Sequence, residues 1–123
     1  MSNHVISSIL QVIVGLGLLN VWLVRARSST GYRGGAAGSL KEEFAVYGLP
    51  EWTFYLVGGL KVLAGVLLIA GIWFPGLVRL PAAIVAVLMV GALAMHAKVK
   101  DPFTKSLPAL AVLLMSVAIF VMN

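Results

Sequence analysis

At 123 residues, 61% hydrophobic and 11% charged, the chain is the length of one domain and too apolar for a water-soluble core. It has no cysteine, which excludes disulfides, thiolate nucleophiles and thiol redox relays and leaves metal binding to His4 and His96. Its net charge of +5 comes from nine Lys and Arg too confined to form a duplex-binding face, so anionic lipid headgroups, not nucleic acid, are the expected counter-charge.

The first four residues carry no Lys or Arg, so the apolar stretch behind them is not read as a secretory signal and is expected to stay in the mature chain. Residues 5–24 are interrupted only by Ser7, Ser8, Gln11 and Asn20. At about 1.5 Å per residue that length crosses a hydrocarbon core of roughly 30 Å. The Gly-rich stretch 31–38 is the one flexible linker. Ser39 followed by Glu42 forms a capping box, and Leu40, Phe44 and Tyr47 fall on one side of a short helix over 39–48 that Gly48 closes before Pro50. That helix is expected to lie at the membrane interface.

Residues 54–74 are apolar except for Lys61, and Pro75-Gly76 makes a tight reversal into a third span over 77–97, with Pro81 tolerated in its first turn. A fourth span covers 106–122 and carries Pro108 in its opening turn. Trp22, Trp52, Tyr55 and Trp73 sit near span ends, where amphipathic rings prefer headgroup depth. The predicted fold is all-α, a single membrane domain over 1–123 built as a four-span bundle with one interfacial helix and no internal repeat.

The loop after the first span holds Arg25, Arg27, Arg33 and Lys41, the loop after the third holds Lys98, Lys100 and Lys105, and the opposite face has Arg79 alone. Basic short loops stay on the cytoplasmic side, so loops 25–53 and 98–105 are expected there and both termini outside.

Three polar groups fall inside the spans. Lys61 lies roughly 10 Å below the cytoplasmic end of its span, on a stripe with Gly58 and Gly65 that should face a neighbouring helix. It is either a structural cation, paired with Glu42, Glu43 or Glu51 or snorkelling to the interface, or a ligand contact. His96 occupies the last turn of the third span and is either a hydrogen-bonded structural group or a ligand contact. No second His or acid follows it at ligand spacing, so no metal site is expected. Asn20 shares a stripe with Gly17 and should likewise face a neighbour, at the least through an interhelical hydrogen bond. The connectivity puts Asn20, Lys61 and His96 at similar depth. Together they define a candidate polar pocket under the cytoplasmic loops, rimmed by Arg25, Arg33, Lys98 and Lys100 and suited to an anionic or carbonyl-bearing ligand.

The stretches Tyr47-Gly48-Leu49-Pro50-Glu51-Trp52, Gly59-Leu60-Lys61-Val62-Leu63 and Gly91-Ala92-Leu93-Ala94-Met95-His96, then Lys98-Val99-Lys100-Asp101-Pro102 and Lys105-Ser106-Leu107-Pro108-Ala109, resemble the DoxX-like membrane proteins over most of the chain. The resemblance implies a four-helix membrane bundle. Members of the wider family often carry Glu where this chain has Lys61, so a site based on that acid does not transfer. The family's namesake is linked to a quinone-reducing sulfur-oxidising complex, and a distant animal relative assists assembly of neurotransmitter receptors.

Three functional readings follow. The first, favoured by the absence of a recognisable catalytic set, is a non-catalytic subunit or assembly factor whose small-residue faces and basic loops dock a partner protein or anionic lipid at the polar pocket on the cytoplasmic side; a membrane protein partner or a homo-oligomer is the expected assembly. The second is a quinone-binding component of an oxidoreductase, with His96 and Lys61 hydrogen-bonding a carbonyl and the electrons supplied by another chain. The third is a carrier of a lipid or organic anion selected by Lys61, against which stands the lack of matched inverted halves.

Overall fold

The computed structural model describes residues 3–24, 34 and 37–123, and every regular element among them is helical. Helix α1 (Asn3–Leu19) runs into a wide π-helical turn, Asn20–Val24. Then come α2 (Leu40–Val46), α3 (Glu51–Ala70), a short turn at Pro75–Leu77, α4 (Arg79–Lys98), a second short turn at Phe103–Ser106, and α5 (Leu107–Met122). With these turns, Asn3–Val24, Glu51–Ala70, Pro75–Lys98 and Phe103–Met122 are each long and apolar enough to cross a membrane. The predicted all-α, four-span architecture is the one the chain adopts.

The capping box reads out as expected at α2. Ser39 Oγ accepts from the Glu42 amide at 3.2 Å, and Glu42 Oε2 accepts from the Gly38 amide at 2.6 Å. Helix α3 lies earlier in the chain at both ends than the predicted 54–74. Pro50, fixed in an extended conformation, starts it at Glu51, whose carboxylate suits the positive end of the helix dipole. Its end is set by the returning chain: a Cβ on Gly71 would stand 2.4 Å from Val78 Cγ2, so only glycine lets the α3–α4 hairpin close there.

Helix α1 packs chiefly on α3 and α4 chiefly on α5, and contacts of α1 with α5 and of α3 with α4 close the ring. Gly15 and Gly65 meet backbone to backbone. A Cβ on Gly15 would lie 2.9 Å from Gly65 O, and one on Gly65 would lie 3.2 Å from Gly15 O. In lipid, helix association rests on such close approach, because apolar side chains gain nothing by leaving hydrocarbon for each other. Val14, Leu18, Ala64, Leu68, Val78, Ala82, Val85, Met89 and Ile119 fill the centre. The outside is as apolar as the inside, with Leu16, Leu63, Leu80, Val87, Leu114 and Val121 all exposed.

The face of α1 that packs inward carries Ser7, Gln11, Val14, Gly15 and Leu18. Asn20, the first residue of the wide turn, is exposed, as is Gly17, which has nothing within 4 Å of a built Cβ. This corrects the expectation that Asn20 and Gly17 face a neighbouring helix of this chain; Gly15 takes that part instead.

At the end of the bundle away from α2, polar groups form one thread. Asn123 Nδ2 donates to Ser7 Oγ at 2.7 Å, Ser7 Oγ donates to Gln11 Oε1 at 2.8 Å, and Gln11 Nε2 donates to Leu68 O at 2.9 Å. The Leu68 carbonyl needs this partner because α3 ends at Ala70 and the Ile72 amide turns to Ile69 O instead. By contrast, Ser116 Oγ is fully buried and has no hydrogen-bond partner among the described residues. In thermal melts in mild detergent, Gln11→Leu is expected to destabilise the fold by about 1 kcal/mol or more, because it orphans a buried carbonyl and a hydroxyl. Ser116→Ala, which removes a group that is already orphaned, is expected to leave the melting temperature unchanged or higher.

Candidate functional site

The polar groups of the opposite end gather where α2, the last turn of α4 and the α4–α5 turn meet. Beyond α4, Lys100 takes a left-handed conformation (φ 56°), which brings the Lys100 amide to Ala97 O at 3.1 Å and the Asp101 amide to His96 O at 3.0 Å. This wrap satisfies the last carbonyls of the helix and folds Asp101 back over its final turn. Asp101 Oδ2 then lies 2.7 Å from His96 Nδ1, with both side chains almost fully buried. Lys105 Nζ stands 3.7 Å from the other carboxylate oxygen.

Across the imidazole, His96 Nε2 faces the Tyr47 hydroxyl at 3.5 Å, and the rings meet edge on with centroids 5.9 Å apart. The Tyr47 hydroxyl donates to Glu43 Oε1 at 2.5 Å, one turn back on the same helix. The Tyr47 carbonyl accepts from Lys98 Nζ at 2.8 Å. The result is a buried line, Glu43, Tyr47, His96, Asp101, closed by Lys105. A carboxylate at Nδ1 selects the tautomer with its proton there and turns the Nε2 lone pair toward the phenol. These groups join the loop before α3 to the loop after α4. Gly34 caps the line: a Cβ on it would stand 2.5 Å from the Tyr47 ring.

Lys61 reaches the same end of the bundle by another route. Its ammonium lies 5.3 Å from the centre of the Trp22 ring, and that ring sits on Gly58, where a Cβ would stand 2.5 Å from it. Trp22 is 6.1 Å from Phe44, Phe44 is 6.5 Å from Tyr47, and Tyr47 touches His96, so a chain of rings joins the Lys61 and His96 neighbourhoods. Phe54 packs against both Trp22 and Phe44.

Of the acids proposed to pair with Lys61, Glu51 binds Lys41 at 2.9 Å, Glu42 caps α2, and Glu43 takes the Tyr47 hydroxyl. The hydrogen bond to Glu51 holds the Lys41 ammonium above the ordinary lysine range. Lys98 is spent on the Tyr47 carbonyl, and Lys100 is exposed. Arg25 and Arg33 lie outside the described residues. Among the described residues no group of three His, Asp or Glu is placed to hold a metal. Sequence reading missed Asp101 and the polar role of Tyr47. The signals were there in the Glu43 to Tyr47 spacing of one helical turn and in an acid five residues after a helix-terminal histidine. In detergent melts Lys61→Glu, which sets a carboxylate against the negative face of Trp22, is expected to cost about 2 kcal/mol more than Lys100→Glu at an exposed position.

No curated protein and no solved structure matches the chain. The model of the DoxX-like family matches residues 21–119, from the π-helical turn through most of α5, and so covers α2, α3, α4 and the whole of the His96 cluster. With four apolar helices and that match, the chain belongs to the DoxX-like family of membrane proteins.

Proposed function

We propose that this protein is a non-catalytic membrane subunit or assembly factor that docks a partner protein sideways within the bilayer, while its basic end meets anionic headgroups on the cytoplasmic side. The observation that carries this reading is the placement of glycine on the outer faces of three spans. A Cβ at Gly17, Gly59 or Gly91 would meet nothing within 4 Å. Glycine costs a helix roughly 1 kcal/mol relative to alanine, and no described residue comes close enough to require it at these positions. What it provides is a place for a second helix to approach closely. Between α3 and α4, an apolar groove lined by Leu60, Ala83, Ile84, Val87 and Leu88 adds relief of the kind a partner helix packs into. The polar groups, by contrast, are engaged in tying the chain's own segments together.

Native mass spectrometry from mild detergent tests the reading. The wild-type chain is expected to carry one polypeptide in fixed ratio, a second copy included, which Gly59→Leu and Gly91→Leu release without lowering the melting temperature. A small organic molecule retained by the wild type and lost in Lys61→Ala or His96→Ala would instead identify a ligand-binding component of the quinone type. The orientation has its own test, simplified by the absence of native cysteine. In intact cells a membrane-impermeant thiol reagent is expected to label Gly76→Cys and to spare Lys100→Cys, and inverted vesicles are expected to show the reverse.

A further inference from the structure

We propose that residues 40–49 form a strap that swings off the end of the bundle as a unit, with Tyr47 as its pin, and that its closed position shuts His96, Asp101 and Glu43 away from the headgroup layer. This goes beyond the docking of a partner on the outer faces and does not depend on it.

Helix α2 has seven residues, too few to hold a helix in isolation, so its order depends on what it docks against. Among the described contacts, Phe44 and Tyr47 make the buried docking, and the exposed Lys41–Glu51 pair ties the strap to the start of α3, next to its own joint. Phe44 packs against the touching pair of rings Trp22 and Phe54. Tyr47 holds α4 by both of its polar ends, its hydroxyl against His96 and its carbonyl on Lys98. Both of those partners belong to the last turn of α4, so Tyr47 pins the strap to that one turn. Gly48, at φ 77°, supplies the joint on the α3 side, a conformation that glycine alone adopts at little cost. The strap's own hydrogen bonds are local: the amides of Glu43, Tyr47, Gly48 and Leu49 donate to Ser39 O, Glu43 O, Ala45 O and Phe44 O. A segment that is locally bonded within and held outside by a few concentrated contacts opens below the free energy of global unfolding. Beneath it lie the buried His96 and Asp101 side chains, which, with the strap's own Glu43, reach the membrane surface only when it lifts.

Residue-resolved hydrogen exchange on the full chain in lipid nanodiscs tests the strap. Tyr47→Phe removes the hydroxyl and Lys98→Met removes the cation on the carbonyl, and the second variant leaves every strap side chain intact. In either variant the amides of Glu43, Tyr47, Gly48 and Leu49 are expected to exchange about tenfold faster or more, while those of α3, α4 and α5 keep wild-type rates. If the four amides hold their rates in both variants, or if the spans speed up by the same factor as the strap, the segment is not a separable unit and the proposal falls.

Discussion

A helix in hydrocarbon has no water to complete its hydrogen bonds, so every polar group that leaves the membrane surface must find its partner inside the protein. The four spans meet this rule through their own backbone ladders. The difficulty is confined to the helix ends and to the few polar side chains, and the structure places both at the same points. Leu68 O, left over where α3 stops short, is met by Gln11 from α1. The carbonyls at the end of α4 are met by the backward wrap through Lys100 and Asp101. The polar side chains therefore serve first as closures for helix ends.

The two ends of the bundle solve the problem differently. At one end, neutral amides and hydroxyls make a thread linking α1, α3 and α5. At the other, charged and titratable groups are used, and they bind loops to a helix terminus instead of helices to each other. The midsection between them packs by shape alone, with Gly15 against Gly65 setting how near the helices come. That division leaves the titratable groups at the basic end and leaves the midsection to be held by shape.

Much of this was legible from residue order. Hydrocarbon imposes a length and a composition on each span, and tight turns need Pro and Gly, so the four helices, the hairpin at Pro75-Gly76 and the capped helix before α3 can be read directly. Boundaries were less legible, because the last turn of α3 depends on Val78 crowding Gly71 across the hairpin, a side-chain contact that residue order does not display. The candidate site was legible in part. His96 and Lys61 stood out as polar residues in apolar runs, but their partners did not, since Tyr47 reads as one more apolar-side residue of α2 and Asp101 as one more loop acid. Asn20 was misplaced because two glycines two residues apart on α1, Gly15 and Gly17, look alike in sequence, and only the packing shows which of them faces α3.

The wide turn at Asn20–Val24 takes up more residues per revolution than the helix before it, and so resets the direction in which its side chains emerge. That reset delivers the Trp22 indole to its seat on Gly58, above the Lys61 ammonium. Shortening the segment by one residue would restore ordinary helical phase, aim the indole elsewhere, and strip the cation of its aromatic cover while leaving span length and hydrophobicity nearly the same. The chain's tolerance for deletions here is thus governed by rotational phase rather than by thickness matching.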